Sequence, residues 1–267
     1  MLGRVLKEIW RSRRSGNAAV AGTTSDATRG RETGVSFDTL RAPLSHPKHF
    51  NYESVAWFQA AMQSADYMVS HMMTARDLLT RDALLEFALQ QCELYGLILE
   101  FGVYQGASLN AIARRSRQTV HGFDSFEGLP EDWTYYQKKG RFGLDGTPPK
   151  PDADNIELHK GWFNETLPAF LASHDAPVRF LHIDCDLYSS ASYVLNALAE
   201  RVVSGTVILF DEYLNYPGWQ LHEFRAFREF VERTEIKYDY AGFVSSAGSV
   251  AVRIKGKAAL KHRYVAR

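Results

Sequence analysis

The chain has 267 residues, with 45% hydrophobic and 23% charged side chains. Both values sit near globular averages, which excludes a wholly disordered protein and fits one α/β-sized domain with additions. Lys plus Arg and Asp plus Glu each number 31, a formal net charge of zero, so the basic excess of most nucleic-acid binders is missing. No apolar run approaches the roughly 18–20 residues that span a bilayer. The two cysteines, Cys92 and Cys185, make no disulfide framework, and a reducing, cytoplasmic setting is expected.

In chain order, Met1 to Gly16 lacks the apolar core of a secretory signal. Leu2, Val5, Leu6, Ile9 and Trp10 share one helical face among basic residues, which suits either a membrane-surface helix or a solvated tail. Residues 15–34 are rich in Gly, Ser, Thr and Ala, so 1–50 is read as a tail and linker. From Tyr52 to Tyr95 the apolar residues, among them Val55, Phe58, Met62, Met68, Met72, Leu79 and Leu84, recur at three-to-four spacing. That spacing predicts two or three helices over 51–95, with the methionines packed in a core.

From Gly96 the rhythm shortens. Strands are expected at Leu97–Phe101, Thr119–Asp124, Ile156–His159, Val178–Asp184, Thr206–Phe210, Tyr238–Phe243 and Val250–Ile254. Helices are expected at Ser108–Ser116, from Asn164, at Ser189–Val203 and at Gln220–Arg233. Strands alternating with helices predict an α/β fold: a Rossmann-like, doubly wound, seven-stranded sheet over 96–256, mostly parallel, with an antiparallel C-terminal edge strand and N-terminal helices added. A basic tail, 257–267, follows. In such sheets ligands lie beyond the carboxyl ends of the strands.

The residues just after each strand therefore carry the argument. Glu100-Phe101-Gly102-Val103-Tyr104-Gln105-Gly106-Ala107-Ser108 makes a glycine turn into a helix whose free N–H groups suit an anionic group. Its spacing is not G-x-G-x-x-G, which disfavours a dehydrogenase. Asp124 ends the next strand eighteen positions after Gly106, near the ~20-residue offset of an acid that meets ribose hydroxyls. Asp184 and Asp186, then Asp211 and Glu212, deliver carboxylates from two strand ends. Such crowding repels unless a hard cation such as Mg²⁺ offsets it. Trp162-Phe163 offers a surface on which adenine could stack. The stretch 125–155, with Trp133, Tyr135 and Tyr136, is long enough to serve as a lid, and 215–219 is a second aromatic loop. His182 and His222 are possible bases, although a lone His on an apolar strand or helix is usually structural.

Five motifs in order, Glu100–Gly106, Gly122-Phe123-Asp124-Ser125-Phe126-Glu127-Gly128-Leu129-Pro130, Gly161-Trp162-Phe163 with Thr166-Leu167-Pro168, His182–Tyr188 and Asp211-Glu212-Tyr213, resemble the macrocin O-methyltransferase family of S-adenosylmethionine-dependent enzymes over 95–254. The resemblance implies methyl transfer to a hydroxyl of a sugar or sugar-bearing natural product, with Mg²⁺. It implies cofactor contacts from Glu100, Gly102, Val103, Tyr104, Gly106, Ser108, Asp124, Ser125, Phe126, Trp162 and Phe163. It also implies a metal at Asp184, Asp211 and Glu212, with Asp186 as an alternative ligand. A hydroxyl acceptor must lose a proton, and Asp184 is the candidate catalytic base. The family often has Asp where Glu212 stands. The expected partners are a small hydroxyl-bearing acceptor such as a glycoside and a second copy of the chain, with no nucleic acid. Asp184-x-Asp186 also resembles the metal motif of nucleotide-sugar glycosyltransferases, and a non-catalytic homologue that kept the fold is a third reading.

Overall fold

The computed structural model describes residues 51–257. The expected N-terminal tail, its amphipathic segment and the basic tail after 257 lie outside the described residues.

Asn51 caps the first helix, α1 (Tyr52–His71), by accepting from the Glu53 and Ser54 N–H groups. A two-residue strand, β1 (Arg76–Asp77), precedes α2 (Arg81–Gln90), which Thr80 caps through the Ala83 N–H at 3.1 Å. The central unit runs β2 (Leu97–Phe101), α3 (Ala107–Arg115), β3 (Val120–Asp124), β4 (Ile156–Lys160), α4 (Phe163–Ser173) and β5 (Val178–Ile183). It continues with α5 (Tyr188–Ala197), β6 (Val207–Phe210), a 3₁₀ turn at Trp219–Leu221, α6 (Glu223–Thr234), β7 (Ile236–Phe243) and β8 (Val250–Lys257).

One eight-stranded sheet has the order β1-β7-β8-β6-β5-β2-β3-β4. Strands β6, β5, β2, β3 and β4 pair in parallel, and β8 is antiparallel to both β6 and β7. The expected mixed, mostly parallel sheet is present, with two differences of detail. The last strand sits inside the sheet rather than on its rim. The eighth strand is β1, which pairs in parallel with β7; its two residues are exposed and polar, so no hydrophobic alternation marks them in the sequence.

Alternation along β2 shows how the layers form. Leu97, Leu99 and Phe101 face a core shared with α4, α5 and α6, whereas Ile98 faces a second core with Leu84, Leu85 and Ala88 of α2 and Leu109 and Ile112 of α3. Helices therefore cover both faces and leave the carboxyl edge open. The reading of the helical segment needs correction in part. Met72 is buried, but Met62 is 54% and Leu79 92% exposed, and Phe58 is also exposed. Helical spacing identifies a face but not what that face meets.

Candidate active site

Gly102 leaves β2 with φ +91°, and a Cβ there would stand 1.8 Å from the Asp184 carbonyl oxygen. Only glycine fits, because the β2 and β5 ends touch backbone to backbone. The Asp184 N–H donates to the Phe101 carbonyl at 2.9 Å, which fixes this approach. Gly106, at φ +80°, starts α3 with no side-chain cap, so the first N–H groups of that helix are not met by a capping side chain. Asp124 braces the loop: Oδ2 accepts from Val103 N (2.8 Å) and Tyr104 N (2.9 Å), and Oδ1 from Phe126 N (2.7 Å). Below the loop, Glu100 is fully buried. Its Oε1 accepts from Ser108 Oγ at 2.7 Å, and its Oε2 lies 3.5 Å from His182 Nδ1. Burial alone would lower the His182 pKa, but the Glu100 carboxylate outweighs it and the pKa rises.

The acids come from β5 and β6. Asp184 follows β5, and its pKa is pushed well above the carboxylate range by burial first, then by Asp211 and Asp186. Asp186 holds a left-handed φ of 61°, and burial plus the Glu212 and Asp211 charges push its pKa up to about 8. Burial and Asp211 push Glu212 to about 7, against the opposing effect of Arg81. Two further residues complete the cluster, and the sequence did not single them out. Arg81, at the start of α2, sets Nη1 3.2 Å from Asp211 Oδ2 and Nη2 2.8 Å from Glu212 Oε1. Glu223, the first residue of α6, is fully buried. Its Oε1 accepts from Cys185 N and Asp186 N at 3.2 and 3.1 Å, and its Oε2 from Glu212 N at 3.3 Å. One carboxylate thus ties both acid-bearing loops together. Ser249 Oγ, from the residue before β8, donates to Asp211 Oδ1 at 3.1 Å.

Asp184, Asp186, Asp211 and Glu212 open onto a cleft of about 1630 Å³, larger than the ~300–1,000 Å³ of an ordinary single-ligand pocket. Gly102, Tyr104, Asp124, Ser125, Trp162 and Phe163 line it on one side, and Asp184, Asp186, Asp211, Glu212 and Arg81 on another. Glu100, Val103, Gly106, Ser108 and Phe126 stand outside that lining; Val103 and Phe126 are buried beneath it with Glu100. Neither His182 nor His222 is in the lining. A third wall is aromatic. Trp57 of α1 meets Tyr136 at 6.0 Å between ring centroids, and Trp133 meets Tyr216 edge-on at 5.3 Å.

The donor set suits a hard divalent cation: carboxylate oxygens, partly buried and crowded, with the half-exposed Arg81 beside them. Among the described residues these acids do not form a set of three whose oxygens all lie within 4.8 Å of one another. Arg81 occupies Asp211 and Glu212 instead.

An open α/β sheet with a glycine loop and clustered acids at its carboxyl edge defines a Rossmann-like protein with a ligand cleft at the strand ends. Residues 99–213 match the family model described as "Methyltransferase domain". It is 29% identical over 141 residues to the 8-demethyl-8-(2,3-dimethoxy-alpha-L-rhamnosyl)-tetracenomycin-C 4'-O-methyltransferase of Streptomyces olivaceus, covering 44% of this chain and 53% of that protein. The matched stretch thus spans about half the length of this curated relative. The fold is similar to that of the calicheamicin methyltransferase CalS11, at TM-score 0.52 and 19% identity over 86% of this chain and 99% of that one. It is similar also to the O-methyltransferase NovP, at TM-score 0.52 and 21% identity over 66% and 79%. The match favours a methyltransferase over a nucleotide-sugar glycosyltransferase reading of Asp184 and Asp186.

Proposed function

We propose that this protein is an S-adenosylmethionine-dependent O-methyltransferase that acts, with Mg²⁺, on a hydroxyl of a sugar or a sugar-bearing natural product. One observation carries the reading: the glycine loop after β2 and the acids after β5 and β6 face the same cleft, with room for two partners. The family match and the tetracenomycin-sugar relative support it.

When bound, S-adenosylmethionine supplies an electrophilic sulfonium methyl and Mg²⁺ lowers the pKa of a hydroxyl held against it. The protein's own residues supply position and proton transfer. Gly102 and Tyr104 line the side that takes the methionine part, and Trp162 and Phe163 offer flat surfaces for adenine. Asp124 already holds the loop through three N–H groups; its remaining lone pairs suit ribose hydroxyls. Asp184, Asp211 and Glu212, with Asp186 beside them, are the residues that would hold the metal.

The acceptor hydroxyl loses its proton to a carboxylate oxygen of Asp184. A carboxylate held against the hydroxyl can take that proton as it leaves. Holding acceptor and donor in line converts an encounter into a positioned reaction, worth up to about 7–11 kcal/mol in favourable systems. The wall of Trp57, Trp133, Tyr136 and Tyr216 shields the cleft.

The test is transfer of label from methyl-labelled S-adenosylmethionine to a panel of glycosides, with Mg²⁺ or with excess chelator. Transfer that requires the metal supports the reading. Undiminished transfer in chelator removes the metal from it, and a lack of transfer together with a lack of S-adenosylhomocysteine binding rejects it outright.

A further inference from the structure

We propose that His121, Glu157 and His159 form a second metal site, for a borderline divalent ion of the Zn²⁺ class, on the sheet face beside the outer strand β4. None of the three lines the cleft, so the site is separate from the acids just described.

The sheet register brings the residues together. His121 of β3 and Glu157 of β4 are direct partners across the parallel ladder. His159 lies two residues further along β4, so its side chain returns to the same face. His121 Nδ1 stands 3.2 Å from His159 Nε2 and 3.4 Å from Glu157 Oε2, and the three ligand atoms all lie within 4.8 Å of one another. Two donors each about 2.0–2.1 Å from a tetrahedral ion are themselves about 3.3–3.4 Å apart. Both spacings at His121 are thus those of ligands around such an ion. A hydrogen bond between the imidazoles accounts for the first spacing and a polar contact between ladder partners for the second, but an ion accounts for both at one nitrogen.

The rings are held before any ion arrives. His159 stacks on Phe123 at 4.4 Å, and His121 meets Phe170 at 4.8 Å and His174 at 5.2 Å. Two imidazoles and a carboxylate suit Zn²⁺ better than Mg²⁺, which prefers oxygen throughout. The Glu157 side chain is 60% exposed, which gives an ion a path from solvent and leaves a position for water. The strands so clipped are the two ends of the 125–155 loop, so the ion stiffens the base of the segment that carries Trp133 and Tyr136.

The test is calorimetry and thermal melting of the chelator-stripped full chain against Zn²⁺, with excess Mg²⁺ present to occupy the acidic cleft. A single equivalent should bind and raise Tm by roughly 5–10 °C at a hundredfold excess over Kd. Co²⁺ should show visible absorption bands characteristic of imidazole ligation. His159→Gln and Glu157→Gln, both away from the sheet centre, should weaken Zn²⁺ binding by roughly tenfold or more and leave S-adenosylhomocysteine binding unchanged. The proposal is overturned if Zn²⁺ does not bind, if both variants bind it as the parent does, or if binding is lost in Asp211→Asn instead.

Discussion

Arg81 Nη2 donates to Glu212 Oε1 at 2.8 Å across 131 positions of sequence, and its Nη1 reaches Asp211 Oδ2 at 3.2 Å. A guanidinium therefore stands on the two acids offered for Mg²⁺. Removing it lifts both competition and charge repulsion, so the two effects have the same sign. Arg81→Gln should tighten Mg²⁺ binding by about threefold to tenfold, since a half-exposed pair is worth about 0.2–1 kcal/mol and repulsion adds to it. Calorimetry against Mg²⁺ checks this. Equal or weaker affinity in the variant would show that Arg81 and the ion do not share those oxygens.

Asp124 holds Val103, Tyr104 and Phe126 by their N–H groups, with one carboxylate oxygen on two donors and the other on one. An asparagine has a single acceptor oxygen, so either orientation turns its NH₂ group toward an N–H. The loop after β2 then loses its shape as well as its contact with the cofactor. Asp124→Asn should weaken S-adenosylhomocysteine binding by at least about tenfold, a loss of one to two charged hydrogen bonds at about 1.5–3 kcal/mol each. Binding within twofold of the parent would mean the loop keeps its form without the carboxylate.

The parts of this site that can be read in the sequence are those built by strand ends. Leu97–Phe101, Val178–Ile183 and Val207–Phe210 are mostly apolar strands that stop abruptly, so Gly102, Asp184 and Asp211 mark themselves as loop residues on one edge. Arg81 and Glu223 carry no such mark. Each begins a helix, a place where charged residues are common for local reasons, and only the docking of α2 and α6 on opposite faces brings them to the acids. Glu100 and Ser108 read as loop ends but meet beneath the loop, because alternation along β2 turns Glu100 inward. Phe58 and Met62 follow core spacing yet lie on an exposed face, since periodicity does not say whether a neighbour or a cleft waits there.

Cys92 is a free thiol whose pKa burial raises to about 11, against the opposing influence of Arg179 and Arg253. The folded chain thus holds this proton more tightly than the unfolded chain does. The folded state binds more protons between about pH 9 and 11, so the contribution of Cys92 to stability is complete below that window and falls as pH rises through it, by about 2–3 kcal/mol in all. Burial raises Cys185 further still. Native protein at about pH 8 should react with iodoacetamide far more slowly than denatured protein, because the thiolate is the nucleophile. Urea midpoints should fall less steeply between pH 9 and 11 in Cys92→Ala than in the parent; identical slopes would place the loss elsewhere.

Glu223 joins the two acid loops without entering the cleft lining. Its oxygens accept from Cys185, Asp186 and Glu212 N–H groups, and burial followed by the charges of Asp186 and Asp211 raises its own pKa well above the usual range. Alanine removes all three acceptor contacts and leaves buried N–H donors unmet, at about 1–3 kcal/mol for each that water does not reach. Glutamine keeps the volume and one acceptor oxygen, so it preserves one loop and disturbs the other. Glu223→Ala should therefore lower Tm by several degrees and cut turnover strongly, while Glu223→Gln should melt nearer the parent yet bind Mg²⁺ more weakly, with S-adenosylhomocysteine affinity unchanged. That ordering separates positioning from bulk stability: if the two variants lose Mg²⁺ affinity only in proportion to their loss of Tm, Glu223 supports the fold and does not aim the acids.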